Sequence, residues 1–336
     1  MSVDKKIRKS IRAVMPSVVS FQVDYEDESD LKTKICKKLD IEPELTNLIF
    51  VERDEDLTPI GIEESKSYNE EEDENKSAKE VIIDYLWARQ MIALKDSQKK
   101  LRKASALVVG AGALGNEIVK NLVRLGFGEI KIVDYDIVEF SNVSKGSFEK
   151  EDVGRNKAEV LAEKTEKRSP FAKISFIPAR VEECDADLLR SHVIISALDN
   201  MVARIWLASF CVKHAIPLVD GGIREFQGRI QTYLPESPCL ACGIPLEKYT
   251  EVIELKNPCE DYEYDAVASF STVASIVAGV QANEAMKIIS GLPTLKGVLL
   301  MDFLKNNYFV MPLERNRTCF VCGKGEVKEV SVKKSR

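Results

Sequence analysis

The chain has 336 residues, is 45% hydrophobic and 30% charged, and carries a formal net charge of -6. That length and apolar fraction can bury one large α/β core beside a smaller module, and the acidic balance argues against a nucleic-acid binder held by phosphate contacts. No apolar run reaches the length of a membrane span, and the start MSVDKKIRKSIRAVMPSVVS lacks a long apolar core before a cleavage site, so a cytoplasmic protein with neither membrane nor nucleic-acid partners is expected.

In chain order, residues 1–62 read as a small α+β module. VVSFQV is strand-like, DLKTKICKKL places Leu31, Ile35 and Leu39 on one helical face behind Asp30 as N-cap, and NLIFV is a second strand. Residues 63–80 form an acidic linker around YNEEEDENKSAKE, almost without apolar side chains. Residues 81–323 alternate strands and helices. DYLWARQMIALKDSQKKLRKA is an amphipathic lead-in helix, ALVVG a buried strand, ALGNEIVKNLVRLGF a helix opening on glycines, and EIKIVD the next strand. RNKAEVLAEKTEKR is a helix, KISFIPA and VIISAL are strands, ARIWLASFCVKHA is a helix, and PLVDGGI, GRIQTYLP and GVLLMDFL are further strands around the long helix TVASIVAGVQANEAMKIISG. Residues 324–336 are a basic tail. The alternation predicts an α/β fold: a Rossmann-like wound, mostly parallel sheet with helices on both faces.

The glycine loop poses the chemical question. Gly110, Gly112 and Gly115 between a strand and a helix let backbone N–H groups approach phosphate, and Asp134 at the next strand end can bind ribose hydroxyls. Both features suit a redox dinucleotide as well as ATP. Asn142, Lys145 and Lys157, which follow Asp134, favour ATP, because a triphosphate attacked at its α-phosphorus needs its oxygens neutralised and a nicotinamide does not. Asp199 in SALDN lies at the carboxyl end of a strand, the ligand side of a parallel sheet, where a carboxylate can hold Mg2+.

The chain has eight cysteines. Cys239 and Cys242 form one C-x-x-C pair and Cys319 and Cys322 another, and two such pairs supply four thiolates for a structural Zn2+ with no open catalytic position. Cys36 and Cys211 lie in apolar helical contexts and read as core, while Cys184 among acids is given no role. His192 and His214 precede strands without a serine or cysteine motif beside them and read as structural or surface.

The motifs ARQ, GAGALGNE, VDYDIVEFSN, DVGRNKAEV, SALDN, PCLACGIP and CFVCG, in that order, resemble the ubiquitin-activating-enzyme superfamily, which includes the sulfur-carrier adenylyltransferases. The resemblance implies adenylation of the C-terminal glycine of a ubiquitin-like or sulfur-carrier protein ending in Gly-Gly, with MgATP consumed and pyrophosphate released. It implies a phosphate loop of Gly110, Gly112, Ala113 and Gly115, ribose binding by Asp134, and an ATP site completed by Asp136, Ser141, Asn142, Lys145, Lys157, Asp199 and Asn200. It implies that Arg89 reaches across a dimer, a homodimer with two sites or a heterodimer, to the other subunit's nucleotide. It also places Cys259 in a crossover loop, where it is either an incidental loop thiol or the nucleophile that takes the acyl group, as a thioester for a conjugating enzyme or as an acyl persulfide. More weakly, the N-terminal module resembles a ubiquitin-like β-grasp; no Gly-Gly pair follows it, so it is not read as a conjugated tag.

One stretch departs from the family pattern. Lys145 and Gly146 stand where arginine and glutamine are expected, as in inactive halves of heterodimeric activating enzymes. Sulfur-carrier adenylation without thioester transfer, a non-catalytic scaffold subunit, activation of a tRNA base carboxylate and a nicotinamide oxidoreductase are the alternatives.

Overall fold

The computed structural model describes strand residues 8–13, 19–24, 46–49 and 61–64 and the stretches 87–169, 171–244 and 270–323. The chain divides into two compact units, Met1–Lys95 and Asp96–Arg336. In the first, β1 (Arg8–Ala13) pairs antiparallel with β2 (Val19–Asp24), and β3 (Thr46–Ile49) with β4 (Gly61–Glu64). The helix predicted around Cys36 lies outside the described residues. Helix α1 (Ala88–Leu94) ends at Lys95, whose φ of 49° is left-handed, and α2 (Ser97–Lys103) follows in the second unit. The single lead-in helix predicted from sequence is therefore two, because a residue at that φ cannot continue a right-handed helix.

The second unit is built on one eight-stranded sheet in the order β12-β11-β10-β9-β8-β5-β6-β7. Its parallel half is β5 (Ser105–Val109), β6 (Glu129–Val133), β7 (Lys173–Ile177), β8 (Val193–Ser196) and β9 (Leu218–Arg224). From β9 onward the sheet turns antiparallel, through β10 (Gln227–Tyr233), β11 (Val298–Asp302) and β12 (Asn307–Met311). The first three strands step outward from β5 and the chain then crosses back to β8 on its other side. The junction between β5 and β8 is thus a topological switch point, where loops at the carboxyl ends diverge and leave a crevice. Every residue of β8 is buried, as expected for a central parallel strand covered on both faces.

The helices explain that burial. Helix α3 (Ala113–Leu125) buries Leu114, Ile118, Val119 and Leu122, one face at helical spacing, and ends on Gly126 at φ 90°. It packs against the long helix α7 (Ser271–Ser290), which ends on Gly291 at φ 69°. Between them in sequence come α4 (Lys157–Arg168), the short α5 (Ala186–Leu189) and α6 (Met201–Lys213). Adjacent residues of β9 point to opposite faces: Asp220 meets Arg204 on α6, whereas Gly221 lies under Gln281 on α7. Helices α6 and α7 therefore cover opposite sides of the sheet. Each fully buried Leu or Ile in these faces contributes about 1.5–3 kcal/mol.

Candidate functional site at the strand switch point

The glycine loop is shaped by contact with the neighbouring strand end. Gly110 has φ +101°, and a Cβ on it would lie 2.6 Å from the Ala197 carbonyl oxygen. A Cβ on Gly115 would lie 1.9 Å from the Gly110 oxygen. Only glycine lets the loop after β5 fold onto the loop after β8 while α3 starts beneath it. Gly112 is the N-cap of α3 and offers no side-chain cap, so the first-turn N–H groups are available to an anion.

Asp134, at the end of β6, fastens this loop. Its carboxylate accepts the Ala111 N–H at 2.6 Å and the Asp136 N–H at 2.8 Å. Burial pushes its pKa up, against the lowering effect of those two N–H groups. Its remaining lone pairs can accept hydroxyls. Lys157 opens α4 and its ammonium is bound to Asp136 at 3.0 Å. Asn156 sets this geometry: its Nδ2 donates to the carbonyls of Asp134 and Asp136 while its Oδ1 caps α4 by accepting from Glu159 N–H. Sequence reasoning passed over Asn156, although an Asn just before a helical run is a cap signal.

The next loop carries the remaining polar candidates. Asn142 and Glu139 close a reciprocal capping box, with Asn142 Oδ1 accepting the Glu139 N–H at 2.9 Å, and Ser141 donates to Glu139. Lys145 follows, half-buried and with no ion-pair partner among the described residues. The loop is held from below by Lys164 on α4, which donates to the Ser147 carbonyl and pairs with Asp152 and Glu149.

Asp199 follows β8 and is exposed, and no hydrogen bond or ion pair engages its carboxylate among the described residues. Asn200 behind it is the N-cap of α6, accepting from Val202 and Ala203 N–H. The cap places Asp199 at the helix mouth. Arg204, one turn on, is buried and bound bidentately to Asp220 at 2.9 and 2.6 Å, and Arg229 adds a third contact to the same carboxylate at 3.0 Å. Burial works against the Arg204 charge, but Asp220 and then Asp199 overcome it and raise its pKa. From the other face Gln281, fully buried, donates to the Ser196 and Val219 carbonyls, tying the ends of β8 and β9 together. Arg204 and Asp220 were legible in principle, since an arginine inside the apolar run ARIWLASFCV demands a buried partner.

The ATP-site candidates of the second unit therefore lie on adjoining loops at the carboxyl ends of β5, β6 and β8. A family model described as the ThiF family matches residues 87–321. The chain belongs to the ThiF family. The match spans well over half of the chain, and relatives agree with it. The SAMP-activating enzyme E1 of Haloferax volcanii is 30% identical over 240 residues, covering 70% of this chain and 86% of that protein. The sulfur carrier protein adenylyltransferase of Thermus thermophilus is 29% identical over 249 residues, covering 70% of this chain and 89% of that protein. The crystal structure of E. coli MccB with ATP superposes with a TM-score of 0.60 at 21% identity, covering 71% of this chain and 74% of that one, a likeness of fold. This ThiF-family chain is an adenylyltransferase of the ubiquitin-activating-enzyme superfamily.

The ThiF unit also holds a cysteine cluster. The sulfurs of Cys239, Cys242, Cys319 and Cys322 all lie within 4.8 Å of one another. Cys239–Cys242, Cys239–Cys319 and Cys242–Cys322 are 3.8, 3.6 and 3.3 Å apart. Tetrahedral zinc with Zn–S bonds of about 2.3 Å needs sulfurs about 3.8 Å apart, so the four thiols could hold that ion. Hydrogen bonds from Cys239 and then Cys242 hold the Cys319 thiol low, while contacts with Cys242 and then Cys319 push the Cys239 thiol up. Four thiolates gathered there would concentrate negative charge that a cation offsets. The cluster sits in the apolar core with Ile205, Phe210 and Cys211.

Cys211 is fully buried and burial pushes its thiol up. Cys184 donates to the Arg180 carbonyl and is raised by burial and then by Glu182. His192 contacts Ser105 through Nδ1, and His214 lies against Phe210 with centroids 4.4 Å apart. Arg89 is on α1 of the first unit, and Cys259 lies outside the described residues. Among the described residues no helix is long and apolar enough to cross a membrane.

Proposed function

We propose that this ThiF-family enzyme uses ATP to adenylate the C-terminal glycine carboxylate of a ubiquitin-like or sulfur-carrier protein. The observation that carries the reading is the packing of the glycine loop on Ala197, which sets an anion-ready helix start beside the uncommitted carboxylate of Asp199. In this reading the α3 N-terminus and Lys145 grip phosphate oxygens, and Asp134 takes the ribose hydroxyls. Asp136, Ser141, Asn142 and Asn200 complete the ATP site, Asn142 and Asn200 also capping the backbone around it, and Lys157 is shared between Asp136 and phosphate. Asp199 would hold Mg2+, which when bound neutralises phosphate charge. The carrier's carboxylate oxygen attacks the α-phosphorus, the bond to the bridging oxygen breaks, and pyrophosphate leaves.

The relatives' names, a SAMP-activating enzyme and a sulfur carrier adenylyltransferase, support this substrate class. A conjugation role adds a second step, in which the Cys259 thiolate attacks the acyl-adenylate carbonyl, forms a thioester and expels AMP, for delivery to a conjugating enzyme. We further propose a homodimer in which Arg89 serves the partner's nucleotide, a structural zinc on the four clustered cysteines, and the chain divided as a small β-grasp-like module, an acidic linker and the adenylation domain.

The test is ATP–pyrophosphate exchange with candidate Gly-Gly-ended proteins, followed by intact mass. Exchange should depend on the carrier and fall at least a hundredfold in Asp199→Ala; full activity in that variant would remove Asp199 from the metal site. A reducible adduct that persists in Cys259→Ala would remove Cys259 as the nucleophile, and adenylate with no adduct in the wild type would leave the sulfur-carrier reading. Exchange that is absent in the pure protein and restored by a partner would identify a scaffold subunit.

A further inference from the structure

We infer that Asn116 is a positioning residue that locks the glycine loop to the loop carrying Lys145, and that Gly146 is glycine because the Asn116 carboxamide occupies the space of its Cβ. The inference rests on the nucleotide-site reading above and assigns within it a residue that contacts no substrate.

Asn116 is the fourth residue of α3 and has 0% exposure. Its Nδ2 donates to the carbonyls of Ala111 at 2.8 Å and Gly112 at 3.0 Å, both in the glycine loop. Its Oδ1 accepts the Ser147 N–H at 2.9 Å, thirty-one residues along the chain. A buried amide with its partners removed is left with unpaired polar atoms, so the three contacts stand or fall together. The Ser147 carbonyl is held at 2.9 Å by Lys164. Ser147 is therefore pinned at both its N–H and its C=O, and Lys145, two residues earlier, hangs from that fixed point.

Gly146 closes the argument sterically. A Cβ there would lie 2.9 Å from Asn116 Cγ and 3.1 Å from its Nδ2 and Oδ1. Any side chain at 146 must displace the carboxamide and so release the glycine loop. The residue that departs from the family pattern is matched to its contact, which accounts for it without loss of the site.

The experiment is a double-mutant cycle on the full chain, with MgATP affinity read by calorimetry, adenosine binding by inhibition of exchange, and folding by thermal denaturation. Asn116→Ala and Gly146→Ala should each weaken MgATP about tenfold, because both phosphate grips lose their common anchor. Adenosine inhibition should stay within twofold, a split that general loss of structure would not produce. In the Asn116→Ala background the cost of Gly146→Ala should vanish, since the clash is gone. Equal cost of Gly146→Ala in both backgrounds, or MgATP affinity within twofold of wild type in the folded single variants, overturns the inference. Should Asn116→Ala fail to fold, Asn116→Ser takes its place in the cycle and the same comparison decides. Wild-type protein that does not bind MgATP refutes the nucleotide reading itself; wild type that binds alongside indifferent variants refutes only the role of Asn116.

Discussion

Two lysines near the glycine loop differ in commitment. The Lys157 ammonium is bound to Asp136 with 13% side-chain exposure, whereas Lys145 has no ion-pair partner among the described residues. The uncommitted cation gains most from a phosphate. Lys145→Ala should raise the KM for ATP in pyrophosphate exchange by tenfold or more, and Lys145→Arg should keep or improve it, because guanidinium retains the charge and adds a planar fork. Severe loss in Lys145→Arg would mean the loop lacks room for a larger head. The acidic partner of the neighbouring clamp gives a pH test. Burial opposes ionisation of Asp152, but the Lys164 hydrogen bond and the Glu149 N–H outweigh it, and its carboxyl is held below the usual carboxylate value of 3.8. A depressed folded pKa stabilises above the unfolded value and is lost as pH falls through the folded one. Asp152→Asn should therefore flatten the fall in stability below about pH 4, measured by urea titration at several pH values. Unchanged acid sensitivity would show that other carboxylates control it. At this scale the sequence pointed to the charged and glycine positions, since Gly110, Asp134 and Asp199 announce themselves by type and place. It did not reveal Asn116, Asn156 or Gln281, whose amides act only once distant segments are brought together.

Most elements of the second unit were legible because each carries a local signal. ALVVG and VIISAL are apolar enough for central parallel strands, and α3 and α7 end on glycines at positive φ. What escaped was the edge. Strand β12, NYFVM, is exposed along its whole length, so no burial pattern marks it, and its pairing with β11 comes from the reversal between them. The lead-in helix was overextended although Asp96, the N-cap of the second helix, is a residue type that marks a helix start. At this scale the junction of α6 with β9 and β10 invites a stability test. Asp220 neutralises two arginines, one buried and one with 29% side-chain exposure. Removing a carboxylate that pairs buried charge typically costs about 3–5 kcal/mol, so Asp220→Ala should destabilise by roughly that amount in chemical denaturation. A cost under about 1 kcal/mol would show that water replaces the carboxylate.

The second unit brings its two C-x-x-C pairs together. Purified chain should carry one zinc per copy by elemental analysis, and a strong chelator should lower the melting temperature, with Cys319→Ala reproducing the effect in untreated protein. Absence of zinc together with an unmoved melting curve would assign the four thiols to simple packing. Cys239 and Cys319 stand 80 positions apart in the chain. The chain between them, which includes Cys259, the helix bearing Gln281 and the last two strands, forms a single ring whose ends meet at four sulfur atoms. A disulfide between Cys239 and Cys319, or between Cys242 and Cys322, would hold that ring shut as a covalent staple, whereas withdrawing an ion from four reduced thiols would loosen it.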